Sequence, residues 1–268
     1  MEEVMSKIKH IFSDLDGTLL DDSGKISLRT QAVVKSCGIP FTLVSARTPQ
    51  AMMALIEELS LCTPQIAFNG GLIFNREQIL AQYPLDFPTA KQLIQKFKIQ
   101  FPEINLSIYT LENWYIERSD KDIEQEMQYT PQKPVLTDFE VLLAEPLKIF
   151  KILLIIPDTR RLVEVQKNLK YLEKQNVIVQ KTWESYLEIT SISAQKSYAI
   201  KKIADDKHLK NSELAAFGDN YNDLAMLKEV GLPIVMGNAP EEIKKIGKFV
   251  TKSNEEDGVA FGIEHYIL

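Results

Sequence analysis

Short apolar runs alternate with amphipathic stretches at both ends of the chain, the rhythm of a mostly parallel sheet covered by helices. The run from Ile8 to Ser13 reads as a buried strand. Ser27 to Cys37 has helical spacing, with Ser27 placed to cap its N-terminus and Gly38 just past its end. Ile39 to Ala46 is a second apolar strand, and Thr48 and Pro49 open a helix that runs to about Ser60. "PQIAFNG" supplies a third strand.

Between about Tyr83 and Glu188 the period changes. A helix in "TAKQLIQKFKIQF" leads to a hairpin signal through "INLSIYTLENWYIER" and an acidic helix from Asp120 to Gln128. The strand "FKILLIIP", a long helix begun by Asp158, and one or two strands in "VIVQKTWESYLEIT" complete the segment. After Ile189 the first rhythm returns: a helix from about Ala194 to Asp206, the strand "LAAFGD", and a helix from Asp223 to Val230. The strand "LPIVMG", a helix in "APEEIKKIG", the strand "KFVT" and a last helix after "NEEDG" follow. The pattern predicts a doubly wound, mostly parallel α/β core from residues 1–83 and 189–268, interrupted by an inserted α+β domain over residues 84–188. A length of 268 residues is also long for one core.

Charge narrows the partners. With 31 basic and 37 acidic residues the formal net charge is −6, which argues against a nucleic-acid binder, since that needs a basic stripe. A small anion remains compatible if a few cations are focused in one cleft. No window approaches the ~18 apolar residues of a membrane span. The start "MEEVMSKIKHIF" lacks the apolar stretch of a secretory signal, so the expected location is cytoplasmic. Cys37 and Cys62 fit no metal spacing and are expected as buried core thiols of a reducing compartment. The oligomeric state is left open.

Four of these strands end in polar residues: Asp14 and Asp16, Ser45 with Arg47, Asn69, and Asp219 with Asn222 and Asp223; a fifth ends at Gly237 and Asn238. In an open α/β sheet, ligands bind outside the carboxyl ends of the strands. One residue between Asp14 and Asp16 lets a carboxylate nucleophile and a general acid face a shared cleft. Gly17 permits tight backbone there, and Thr18 is placed to bond back and hold the turn. A calcium loop fits poorly, because Leu20 occupies a ligand slot and no Glu closes the loop. A solvated turn is the other reading of the pair. A carboxylate that attacks a phosphate meets strong repulsion, so Asp219 joining Asp14 around Mg²⁺ would complete such a site. Asn222 could then donate to phosphate and Asp223 orient a lysine, although Asp223 also suits a plain helix N-terminus. Ser45 and Ala46 precede a helix, a position equally suited to phosphate oxygens and to capping. Lys196 in "SAQKSYAI" is, by itself, one lysine among many.

Other polar and aromatic residues read more simply. "NGG" at Asn69 suits a hairpin turn, and Asp21 and Asp22 suit a solvated loop. His10, His208 and His265 share no spacing, which leaves them as surface or core. Trp114 and Tyr115 are expected in the core of the inserted domain rather than as a substrate wall.

Taken together, "DLDGTLL", "LVSARTP", Lys196 and "GDNYND" resemble, in this order, the four motifs of the haloacid dehalogenase superfamily. "AFNGG", "YLEITSISAQKSYAI" and "VMGNAP" make the chain similar to its Cof-type phosphatases, which carry a large cap inserted after the third strand. The resemblance spans nearly the whole chain and implies a Mg²⁺-dependent phosphatase of small phosphate esters. It implies Asp14 as the nucleophile that becomes an aspartyl phosphate and Asp16 as general acid/base. It further implies Mg²⁺ held by the Asp14 side chain, the Asp16 carbonyl and Asp219. Phosphate would be met at Ser45, Ala46, the Leu15 amide, Lys196 and Asn222, with Asp223 and Arg47 in support. The family more often has Thr-Gly-Arg where this chain has Ser45-Ala46-Arg47, so glycine's freedom is missing there. A phosphomutase or phosphotransferase would use the same aspartyl phosphate. A non-catalytic phosphoacceptor receiver would be shorter and would lack the second aspartate.

Overall fold

A computed structural model of the chain describes residues 7–130, 132–182 and 185–268. The chain divides into two compact units. The first takes residues up to Arg47, Met52–Ala81 and Gln195–Leu268; the second takes Thr48–Ala51 and Gln82–Ala194.

The first unit is built on a parallel sheet of five strands. Strand His10–Ser13 lies between Phe41–Leu43 on one side and Leu214–Gly218 on the other; Leu232–Val235 and Phe249–Val250 continue outward beyond the latter. Residues 10–13 and 214–218 are buried at every position, the continuous pattern of strands covered on both faces. The chain therefore starts inside the sheet, one strand from its Phe41–Leu43 edge, winds one way, and returns at Leu214 to wind the other way. The reversal falls between His10–Ser13 and Leu214–Gly218, which pair in parallel register from His10 with Leu214 to Ser13 with Phe217. Their carboxyl ends deliver Asp14 and Asp219 side by side. This is the crevice in which an open α/β sheet binds ligands.

The third expected strand behaves differently. Gln65–Ala67 meets the parallel sheet through a bridge from Val44 to Ile66 and through the Gln65 side chain, whose oxygen accepts from the Leu43 amide. It otherwise opens an antiparallel pairing with Leu72–Phe74, in a separate sheet with Ile79–Gln82. The reversal is a tight turn with left-handed backbone at Phe68, Asn69 and Gly70, in keeping with a hairpin at "NGG". The strands Leu72–Phe74 and Ile79–Gln82 escaped the sequence reading. Beneath the parallel sheet, Phe12, Val44, Ile66, Ile200, Ile203, Ala216, Met226 and Val235 form one buried cluster. Each large apolar side chain so buried stabilises the fold by about 1.5–3 kcal/mol before entropy is subtracted.

Local signals locate several helix starts. Ser27 accepts from the Thr30 amide and caps Leu28–Ser36, and Gly38 follows with φ +68°. Asp120 caps Lys121–Tyr129, and Asp158 caps Thr159–Leu169. The helix in "APEEIKKIG" shrinks to Glu241–Lys244. The last helix, Gly258–Gly262, widens into a π turn over Ile263–Ile267. Neither cysteine is a core residue: Cys37 is half-buried at the C-terminal cap of Leu28–Ser36, and Cys62 is exposed in the loop between Pro49–Glu58 and Gln65–Ala67.

The second unit carries a six-stranded sheet ordered Val177–Lys181, Tyr186–Ser191, Lys151–Ile155, Leu106–Tyr109, Trp114–Ile116, Pro134–Leu136. All its pairs are antiparallel except the last. Helices Phe87–Gln100 and Thr159–Leu169 contribute Leu93, Ile94, Phe97, Leu162 and Val165 to its core, against Ile108, Ile152, Leu154 and Leu187. Trp114 is fully buried and stacks on Tyr109, and Tyr115 packs against the core. Among the described residues, no helix is long and apolar enough to cross a membrane.

Candidate active site

At the end of strand His10–Ser13 the Asp14 amide donates to the Phe217 carbonyl at 3.0 Å, which carries the strand pairing one residue further. The chain then turns: the Leu15 carbonyl accepts from the amides of Thr18 and Leu20, and the Leu15 side chain is fully buried. Gly17 adopts φ +79°, and a Cβ there would stand 2.6 Å from Asp219 Oδ2. Only glycine accommodates both the left-handed backbone and that approach. Thr18 hydrogen-bonds back through its amide, but its hydroxyl donates to Asp219 Oδ1 at 2.8 Å, 201 residues away. The turn is thus tied to the partner strand as well as to itself.

Asp14, Lys196, Asp219 and Asp223 converge. Lys196 Nζ donates to Asp14 Oδ1 at 2.5 Å and to Asp223 Oδ1 at 2.7 Å. The other oxygen of Asp223 accepts from the amides of Asp219 and Asn220, so this carboxylate is spent on holding its neighbours. Lys196 opens helix Lys196–Asp206, and its placement depends on Gly70. With φ +103°, Gly70 lets the turn approach Gln195 so closely that a Cβ would lie 2.3 Å from the Gln195 carbonyl oxygen.

The cluster sets three carboxylates against one ammonium in a buried place. Burial, and then the charge of Asp223, raise Asp14 well above the usual carboxylate range. The same two causes push Asp219 up to about 7. Burial by itself lowers Lys196, but Asp14 and Asp223 outweigh it and raise the ammonium above its ordinary value. Carboxylate oxygens of Asp14, Asp219 and Asp223 lie within 4.8 Å of one another. Hard oxygen donors carrying uncompensated negative charge fit a hard divalent cation such as Mg²⁺. Asp16 contributes no carboxylate to this group.

The remaining candidates lie around it. The carboxylate of Asp16 turns to Arg47, which meets it with Nε at 2.9 Å and Nη2 at 2.5 Å. Ser45 is buried: its amide donates to Ile66, its hydroxyl accepts from the Arg47 amide, and its carbonyl accepts from the Asn69 amide. Ala46 is half-buried and is not among the residues with left-handed backbone, so glycine's freedom is not needed at that position. Asn222 is half-buried on the turn Tyr221–Asp223. Asp21 bonds within its own loop, to Ser23 and Lys25. His10 is buried on Thr42, while His208 and His265 are exposed.

Sequence reasoning gave Asn238 little weight. Its amide donates to the Gly17 carbonyl at 2.8 Å, and its oxygen accepts from the Asn254 amide. Asn254 in turn donates to the Leu20 carbonyl. The position of Asn238 after an apolar strand was the one available signal; its target, a backbone carbonyl, leaves no mark in sequence.

The model of the haloacid dehalogenase-like hydrolases matches residues 11–263. A Haemophilus influenzae protein provisionally named a phosphatase is 33% identical over 265 residues, covering 96% of this chain and 97% of its own. The 5-amino-6-(5-phospho-D-ribitylamino)uracil phosphatase YwtE of Bacillus subtilis is 28% identical, covering 97% and 99%. Among solved structures, a haloacid dehalogenase-like hydrolase from Bacteroides thetaiotaomicron superimposes with a TM-score of 0.87 at 28% identity, over 96% of this chain and 99% of its own.

Proposed function

The chain belongs to the haloacid dehalogenase-like hydrolases and is a phosphatase, and on that premise we propose that it hydrolyses a small phosphorylated metabolite through an aspartyl phosphate on Asp14. The observation that carries this reading is the Asp14 carboxylate, buried at the carboxyl edge of the sheet and held 2.5 Å from Lys196. An oxygen of Asp14 attacks phosphorus in line as the bond to the leaving oxygen breaks, and the Asp16 carboxyl protonates that oxygen. Asp16 then takes a proton from water, which attacks phosphorus. The bond from phosphorus to Asp14 breaks, inorganic phosphate departs, and Asp14 is regenerated.

Lys196 supplies positive charge beside the nucleophile, and Asp223 orients Lys196. Donors for the phosphate oxygens are the Ser45 hydroxyl, the amides of Leu15 and Ala46, Lys196 and Asn222. The Asp14 and Asp219 carboxylates and the Asp16 carbonyl would hold Mg²⁺, with Thr18 fixing Asp219. When bound, the ion offsets the repulsion between an anionic nucleophile and an anionic phosphate. The unit Gln82–Ala194 is the proposed cap, selecting the leaving group and limiting water. Three Bacillus subtilis relatives are 5-amino-6-(5-phospho-D-ribitylamino)uracil phosphatases, which supports a phosphate carried on a sugar or sugar alcohol.

A phosphate-release screen tests the reading. The panel comprises hexose phosphates, pentose phosphates and 5-amino-6-(5-phospho-D-ribitylamino)uracil, each with Mg²⁺ and with chelator. Phosphate should appear only with the metal and vanish in Asp14→Asn. Turnover retained by that variant, or phosphoryl transfer to a sugar in place of water, would overturn it.

A further inference from the structure

Asp14 and Asp16 stand one residue apart, yet their carboxylates go to different cations. Asp14 enters the buried cluster on Lys196, whereas Asp16 turns outward to Arg47. The guanidinium meets Asp16 with two parallel bonds, Nε to Oδ2 at 2.9 Å and Nη2 to Oδ1 at 2.5 Å. This fork-on-fork geometry fixes direction as well as distance. Arg47 is itself anchored, since its amide donates to Ser45 Oγ and its carbonyl accepts from the Phe68 amide.

Stability does not account for the pair. The Asp16 side chain keeps 43% of its exposure and Arg47 keeps 24%, and pairs this open contribute little to folding. Position has the larger consequence. With both Asp16 oxygens held by the fork, the carboxyl is not free to exchange a proton with a leaving oxygen, so the pair must open during turnover. What opens it is suggested by the loop that carries it. Arg47 follows Ser45 and Ala46, where the substrate phosphate would sit, and a phosphate dianion competes with a carboxylate for a guanidinium.

We propose that Arg47 is the positioning residue of Asp16. In the free site its guanidinium latches the carboxyl in a single orientation beside the phosphate loop; an arriving phosphate takes over the guanidinium and hands Asp16, already ordered, to the leaving oxygen, so that without Arg47 the acid/base is misplaced. This rests on the reading of Asp16 as general acid/base.

A double-mutant cycle tests it, with Arg47→Gln, Asp16→Ala and the double variant assayed on an alkyl phosphate in Mg²⁺. Arg47→Gln should lower kcat by about tenfold to hundredfold in the native background, the scale of a misplaced catalytic group, and by less than about threefold beside Asp16→Ala. Arg47→Lys, which keeps the charge without the fork, should recover only part of the loss. Inorganic phosphate should bind Asp16→Ala more tightly than the native protein, and that gain should disappear in the double variant. Equal losses in both backgrounds, or a purely KM effect, would overturn the latch and leave Arg47 as a phosphate ligand or a structural residue. A full kcat in Asp16→Ala alone would instead remove the acid/base reading on which the latch depends.

Discussion

Lys196 Nζ lies 2.5 Å from Asp14 Oδ1, a contact that closes a gap of 182 residues in the chain. Only 2% of the lysine side chain and 8% of the aspartate's is exposed. Its second bond, to the wholly buried Asp223, makes one ammonium the counterion of two carboxylates. Removing it leaves both uncompensated, and breaking a buried pair by deleting one partner costs about 3–5 kcal/mol. Lys196→Met should therefore shift urea unfolding in chelator by that amount and abolish turnover. An unchanged midpoint would mean that the pair contributes nothing to the fold.

The pH dependence of stability has two contributions of opposite sign. Asp219 is raised from 3.8 to about 7, first by burial and then by Asp223. Across that window the native state binds more protons than the unfolded chain, so this group makes stability fall as pH rises. His10 is lowered from 6.5 to about 3, by burial and then by the charge of Lys207. There the unfolded chain binds more protons, so stability rises with pH. Single variants separate the two. In chelator, Asp219→Asn should gain on the native protein as pH rises through the carboxylate window, by on the order of 1 kcal/mol per pH unit. His10→Gln, which loses the bond to Thr42, should be least stable relative to the native protein above pH 6.5 and draw level as pH falls toward 3. Flat differences in either urea-unfolding series would refute the corresponding assignment.

Gly70 couples the hairpin turn to the start of the lysine helix. Gly70→Ala adds a left-handed alanine and a Cβ 2.3 Å from the Gln195 carbonyl oxygen, so backbone must move next to Lys196. The expected cost is about 2–4 kcal/mol in stability, with a fall in kcat greater than in KM. Thermal unfolding and steady-state kinetics read the two effects. A variant with native kcat and a lowered melting temperature would show that the displacement stops short of Lys196.

Much of the local structure was legible because its causes are local. Ser27, Asp120 and Asp158 cap helices where their positions before periodic stretches placed them, since a cap needs only its own first turn. The strands around "IFSD" and "LAAFG" read correctly because burial on both faces makes them continuously apolar. Gln65–Ala67 was harder: its run of residues suits a parallel or an antiparallel neighbour equally, and the left-handed turn at Phe68–Gly70 made the choice. Thr18 shows the same limit, because a hydroxyl three residues into a turn has local partners and the sequence holds no sign of Asp219.

By itself, then, the sequence determined the alternation of strands and helices, the helix starts, and the residue types that stand at strand ends. The tertiary structure decided which of those residues meet. Strand order puts Asp14 and Asp219 on adjacent edges, Gly70 sets the helix that brings Lys196 to Asp14, and the fork of Arg47 sends Asp16 away from its neighbour. The reason is physical. Capping and periodicity act within a turn or two of chain, whereas charge compensation in a buried site acts through space, between groups whose separation in sequence carries no information about their distance.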